Sequence, residues 1–249
     1  VRKIWFAILI GFCILTAGDI PKEVTNKKII NFIKKNHIDV IDFEGVKKAV
    51  LNNIEGKDKT VIIDSRGKNN YENGHIPTAV NYNYSNIKNL KIDKNQKIIV
   101  YCRGYSCGLA AMFARDLIKE GYKNVKTYLG GMPEWKKKFF KESINKDIVS
   151  GVNDANAFFV DVRGKNEYLR ATIPYSVWIA FKDLDKKKGM LPNDKNYKII
   201  VFGRDSKDKN AFKAAWKIYE FGYKNVIYYK EGMKGYEKEH LPITMSVMM

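Results

Sequence analysis

The sequence predicts an α/β protein made of one unit twice over, each copy a parallel sheet flanked by helices. Three observations predict it. Short apolar runs rich in β-branched residues, such as Thr60-Val-Ile-Ile63 and Ile98-Ile-Val-Tyr101, stand between segments of helical spacing such as Leu109, Met112, Phe113 and Leu117. The same succession returns from about residue 150. The 249 residues, 45% of them hydrophobic, suffice for one large or two modest cores.

The chain opens Val1-Arg2-Lys3, runs apolar from Ile4 to Ala17 and turns polar at Gly18-Asp19. Such a run spans about 21 Å as a helix, against about 30 Å of bilayer hydrocarbon. Its basic start and the small residues Thr16-Ala17-Gly18 lead us to expect a secretory signal peptide over 1–18, and hence an exported, periplasmic protein. An uncleaved N-terminal anchor is the alternative. Cys13, behind the bulky Phe12, is left out of the chemistry.

Residues 19–40 read as a lead-in segment, with a short helix over Lys27 to Lys35 that gathers Ile29, Ile30, Phe32 and Ile33 on one side. The first domain is expected over 41–140. Asp42 offers an N-cap to a helix from Phe43 to Leu51, and Thr60 to Ile63 makes a strand. Gly74-His75-Ile76-Pro77 marks a turn, since Pro77 pushes Ile76 out of helical geometry. A buried strand, Ile98 to Tyr101, precedes a helix to Glu120. Gly121-Tyr-Lys-Asn-Val125 punctuates that helix and opens a strand to Leu129, and Gly130-Gly131-Met132 leads into a last helix around Trp135. Phe140 to Asn156, polar and without apolar periodicity, is expected to be a linker to a second domain over 150–245.

In that second domain Asp161-Val-Arg163-Gly164-Lys165-Asn166 repeats Asp64-Ser-Arg66-Gly67-Lys68-Asn69, and Ile173-Pro174 answers Ile76-Pro77. Lys198-Ile-Ile-Val201 answers Lys97-Ile-Ile-Val100, and Gly222-Tyr-Lys-Asn-Val226 answers Gly121 to Val125. The offset grows from 97 to 101 between the Pro and the Lys-Ile-Ile-Val strand, which places a four-residue insertion in the Lys-rich stretch near Lys186 to Gly189.

The candidate site lies where the strand Ile98 to Tyr101 ends. Cys102 stands at that end, and Arg103, Gly104, Tyr105, Ser106, Cys107 and Gly108 form a loop that closes on a helix N-terminus. Such a loop turns backbone N–H groups inward and favours an anion, so a thiol there has its thiolate stabilised. Cys102 is therefore a candidate nucleophile; the plainer reading is a small buried hydrophobe. The repeat supplies a contrast, because the second copy has Gly203 for Cys102 and Asp208 for Cys107. A cysteine needed only for packing a strand end would serve both copies. Cys107 is near enough in sequence for a disulfide, or to resolve an intermediate on Cys102; it also suits helix packing. Arg103 suits either an anion or solvent, and Tyr105 and Trp135 suit the loop rim and packing.

Other classes fit poorly. The 45 Lys and Arg against 27 Asp and Glu give a net charge of +18, but the lysines are spread along the chain without any nucleic-acid-binding signature. His37, His75 and His240 offer no metal-ligand spacing, so neither metal nor other cofactor is expected. Two cysteines beyond Cys13 are too few for a disulfide framework. A phosphatase loop of related form needs a guanidinium six residues beyond its cysteine, where this chain has Gly108.

Taken together, Asp64-Ser-Arg66, Gly74-His75-Ile76-Pro77-Thr-Ala79, Val100-Tyr-Cys102, Gly121 to Val125 and Gly130-Gly131-Met132 resemble a rhodanese domain. The resemblance covers roughly residues 40 to 140, and the second copy shares it more faintly through Asp161-Val-Arg163, Ile173-Pro174 and Gly232. It implies a sulfurtransferase fold with the nucleophile, here Cys102, in the loop after the central strand. The partners it implies are a small anionic donor such as thiosulfate and a thiol or other thiophilic acceptor, with the second domain free to dock a protein. A persulfide carrier or protein-binding module in the cell envelope is the alternative. The chain departs from the family pattern in two ways. Many members have an Arg where Cys107 stands, and familiar two-domain members carry the active loop in the second domain.

Overall fold

The computed structural model describes residues 19–154 and 156–245. The expected signal peptide or anchor, with Cys13, lies outside the described residues. Among those described, no helix is long and apolar enough to cross a membrane.

The first copy runs α1 (Lys27–Lys35), β1 (Asp39–Val40), α2 (Phe43–Glu55), β2 (Thr60–Asp64), α3 (Lys68–Glu72), β3 (Val80–Asn81), β4 (Lys97–Tyr101), α4 (Leu109–Lys119), β5 (Asn124–Tyr128) and α5 (Gly131–Lys138). The second runs β6 (Lys141–Ser143), α6 (Lys146–Ser150), β7 (Phe158–Asp161), α7 (Lys165–Arg170), β8 (Val177–Trp178), β9 (Ile199–Phe202), α8 (Lys209–Glu220), β10 (Val226–Tyr229) and α9 (Gly232–Lys238). Each copy builds a five-stranded sheet, in the orders β1-β5-β4-β2-β3 and β6-β10-β9-β7-β8, with every pairing parallel. Strand for strand the two orders correspond, so the sequence repeat is a repeat of architecture. β4 and β9 are the central strands, buried on both faces, which is why each is a continuous apolar run.

Alternation along β4 sends its side chains to two different layers. Ile98, Val100 and Cys102 share a core with Ile29 and Ile33 of α1 and with Ala110, Phe113 and Leu117 of α4. Ile99 and Tyr101 face α2 and α5 instead, and that layer continues without a break into the second copy through Phe212, Ala215 and Ile218 of α8. Phe139 and Phe140 are the hinge of this joint. The Phe139 ring lies 5.7 Å from Trp216 and 5.3 Å from Tyr219, and Phe140 lies 5.2 Å from Phe212.

Two expectations need correction here. The segment 19–40 is more than a lead-in, because β1 pairs with β5 at Asp39 and Lys126 and α1 covers the α4 side of the first sheet. The supposed linker from Phe140 to Asn156 is structural too: β6 forms an edge of the second sheet, with Ile227, Tyr228 and Tyr229 opposite Lys141, Glu142 and Ser143. Its polar side chains are satisfied by hydrogen bonds rather than by apolar contact. Glu142, 1% exposed, receives the imidazole of His75 at 2.8 Å, Lys230 Nζ at 3.0 Å and the Thr78 amide at 3.2 Å. His75 and Glu142 also exchange backbone hydrogen bonds of 2.9 and 3.0 Å, so the turn of the first copy is clasped onto the first strand of the second. Thr172 and Thr244 make the corresponding bridge in the second copy.

Candidate active site

Asp64 ends β2 and accepts from Arg66 Nε at 2.9 Å and Nη2 at 2.6 Å, and the same guanidinium donates to Gly74 O at 2.8 Å. Asp161 and Arg163 repeat the pair, with Nε at 3.0 Å and Nη2 at 2.7 Å. All four side chains are buried. A bidentate pair that also holds the following turn is a structural clamp, and it stands in both copies whether or not a thiol is present.

Beyond Tyr101 the chain leaves the sheet at Cys102. The Ser65 amide still donates to Tyr101 O at 3.1 Å, as Val162 does to Phe202 O at 3.2 Å in the second copy. Cys102 O then accepts from the Met132 amide at 3.2 Å, matched by Gly203 O and Met233 at 2.9 Å. This packs the start of α5 directly on the loop. Gly131, at φ +54°, permits it: a Cβ there would lie 2.7 Å from Gly104 N and collide with Cys102 O. Gly232, at φ +59°, fills the same place against Gly203 O at 2.7 Å.

Within the loop Gly104 takes φ +120°, and its carbonyl accepts from the Cys107 amide at 2.9 Å. That amide is therefore engaged in a turn, and it drops out of the set of inward-facing N–H groups expected over 103–108. Cys102 and Cys107 are joined in a disulfide with Cα atoms 6.4 Å apart. Cys102 is 2% exposed and sits in the apolar layer beneath α4, while Cys107 is partly buried beside it. The expected open thiolate is thus closed in this form, its side chain buried in the layer of α1 and α4 and its sulfur bonded to Cys107. Gly108 precedes α4 and supplies no side-chain cap. In the second copy the Asp208 carboxylate takes both jobs, accepting from Arg204 N at 2.9 Å across the loop and from Asn210 N at 3.0 Å as the N-cap of α8. Such a cap is worth about 1 kcal/mol. The first copy forgoes it at the position where it carries Cys107.

Arg103 and Ser106 are exposed, and Tyr105 is partly buried with its phenol pushed upward by burial and by Glu134. Arg103 borders a shallow cavity of about 270 Å³ completed by Arg66, Asn70, Met132, Pro133 and Lys136. The Arg66 charge is matched by Asp64, so it is Arg103 and Lys136 that suit this hollow to an anion. Arg66 and Lys136 as cavity walls escaped the sequence reading, which singled out Arg66 only within a repeated motif and did not single out Lys136. Trp135, fully buried and donating to Phe140 O at 2.9 Å, packs as expected. No group of His, Cys, Asp or Glu among the described residues is arranged to hold a metal ion.

Comparison with known proteins agrees with this architecture. The rhodanese-like domain profile matches residues 47–138 and again 145–239. A thiosulfate sulfurtransferase GlpE from Coxiella burnetii is 30% identical over 89 residues, 35% of this chain and 81% of the relative. Its namesake from Pseudoalteromonas translucida is 31% identical over 96 residues, 37% of this chain and 89% of the relative. A solved thiosulfate sulfurtransferase from Pseudomonas aeruginosa aligns at 19% identity and TM-score 0.38, over 84% of this chain and 44% of that one, so the chain spans less than half that structure's length. With the same profile matched twice along most of its length, the chain belongs to the rhodanese-like family and carries the domain in tandem.

Proposed function

We propose that the protein is a sulfurtransferase that takes sulfane sulfur from an anionic donor such as thiosulfate, holds it on Cys102 as a persulfide and passes it to a thiophilic acceptor. One observation carries this reading: Cys102 directly follows the central strand of the first sheet, its neighbour Arg103 borders a cationic hollow, and this is the one copy whose loop contains thiols. In the reduced protein the Cys102 thiolate attacks the outer sulfur of the donor and sulfite departs. The N-terminus of α4 and the guanidinium of Arg103 offset the negative charge. The second copy, with Gly203 in that place, has no nucleophile to offer and serves as support for the first. Export to an oxidising compartment belongs to the same proposal, since the pair closes there and needs a reductant before each use.

Steady-state turnover of thiosulfate with cyanide by the reduced protein tests the proposal. Cys102→Ser is expected to abolish it. A protein that loads one sulfur and still holds it as a persulfide in excess cyanide is a carrier instead, and full activity in Cys102→Ser rejects the assignment altogether.

A further inference from the structure

We infer that Cys107 is the internal thiol that resolves the persulfide on Cys102, displacing its outer sulfur, so that the first domain reduces the sulfane sulfur to sulfide and finishes each cycle as the Cys102–Cys107 disulfide. The inference rests on the sulfurtransferase reading above and names the group that discharges its persulfide.

Three features of the loop lead to it. The two sulfur atoms are bonded in the folded chain, so Cys107 reaches Cys102 with sheet, α4 and α5 all in place. Cys102 is nearly inaccessible in this closed form, whereas Cys107 already lies against it; an external thiol has to displace the loop to make the same approach. The bridge is also unnecessary for the loop's shape. In the second copy the Asp208 amide closes the same turn on Asp205 O at 3.0 Å, and the Asp208 carboxylate spans the loop to the Arg204 amide with no sulfur involved. A loop that a carboxylate can hold does not need a cystine for architecture, which leaves redox chemistry as the reason for two thiols.

The steps balance as follows. The Cys102 thiolate bonds to the outer sulfur of thiosulfate, the donor's S–S bond breaks, and sulfite leaves with the electron pair. The Cys107 thiol then attacks Sγ of Cys102, and the persulfide S–S bond breaks. The outer sulfur departs as hydrosulfide with that electron pair and the Cys107 proton. Two protein thiols are oxidised to a disulfide and one sulfane sulfur is reduced to sulfide. An external dithiol reduces the disulfide by exchange and becomes a disulfide itself, which resets the pair.

The test is a single turnover of the pre-reduced full chain with thiosulfate after removal of the reductant. The native protein is expected to release one equivalent each of sulfite and sulfide and to finish with Cys102 and Cys107 bonded. Cys107→Ser is expected to release the same sulfite but to keep the sulfur, gaining the mass of one sulfur atom on the Cys102 peptide. Cys107→Asp, which copies the second domain's loop, guards against misfolding and is expected to behave in the same way. A native protein that retains a stable persulfide and yields no sulfide overturns the inference while leaving the sulfurtransferase reading intact. Absence of sulfite from all three proteins removes both.

Discussion

Replacing Glu142 by Ala should cost the folded protein far more than an ordinary substitution in a short polar strand. Its carboxylate is 1% exposed and is the common acceptor for His75 Nε2 at 2.8 Å, the Thr78 amide at 3.2 Å and Lys230 Nζ at 3.0 Å. Alanine strands the first two donors in a dry joint, and breaking a buried pair from one side costs about 3–5 kcal/mol. At about 2–4 °C per kcal/mol for a chain of this size, the melting temperature should drop by about 10 °C. Glu142→Gln keeps an acceptor and should lose about 1.5–3 kcal/mol. Lys230→Met, at a side chain 28% exposed, should stay within about 1 kcal/mol. The pH dependence gives a second reading. Burial pushes the Glu142 carboxyl up, but the hydrogen bond and charge of His75, with Lys230 behind them, outweigh it and hold it below its ordinary value. A carboxyl depressed by folding contributes fully above its unfolded pKa of about 4.3, and that contribution fades as pH falls through the folded value. Urea unfolding should therefore show the gap between native protein and Glu142→Gln narrowing as pH falls below about 4.3. A loss below about 1 kcal/mol for Glu142→Ala, or a gap that widens in acid, refutes the clasp.

Three other outcomes are expected. Gly131→Ala and Gly232→Ala, both at positive φ against a loop carbonyl, should each lose about 1–3 kcal/mol in thermal unfolding, and only Gly131→Ala should also slow sulfur transfer. Activity lost equally in the folded Gly232→Ala protein contradicts the division of labour between the copies. Reducing the short disulfide loop should lower stability by about 2 kcal/mol, so circular dichroism should show a folded chain after reductant while sulfur transfer switches on; unfolding on reduction contradicts this. Burial, then the charges of Lys136, Lys198 and Arg66, lower the Lys141 ammonium to about 8. The unfolded chain therefore holds the extra proton between about pH 8 and pH 10.4, and stability should rise with pH across that window in the native protein but not in Lys141→Met.

What could be read in advance follows from which signals are local. The helix over Lys27 to Lys35 and the Asp42 cap came out as expected because spacing and capping are properties of neighbouring residues; Asp42 Oδ1 accepts from the Gly45 amide at 2.8 Å. The duplication was legible because motifs keep their order even where the residues between them change. β6 was not, since Lys-Glu-Ser has no apolar alternation; its burial is balanced by partners at His75, Thr78 and Lys230 that no window around residue 142 contains. β1 and β8, two residues each, are too short to register a period. At the site, the position of Cys102 could be foreseen from the strand end, but the choice between an open thiol and a buried one could not, because that depends on α1 and α4 packing over it. The equivalence of a cystine and a carboxylate in the two loops emerged only with coordinates, from the hydrogen bonds of Asp208.

The aromatic joint at Phe139 and Phe140 bears on how the chain matures. One face of the thiol-bearing half is sealed by side chains of α8, which leave the ribosome well after the loop holding Cys102 has been made. Until then that half stands with an apolar wall bare to the surroundings, and a cut between the halves would leave it so permanently. The copy without thiols covers its sibling's interior, which is reason enough for the chain to keep it.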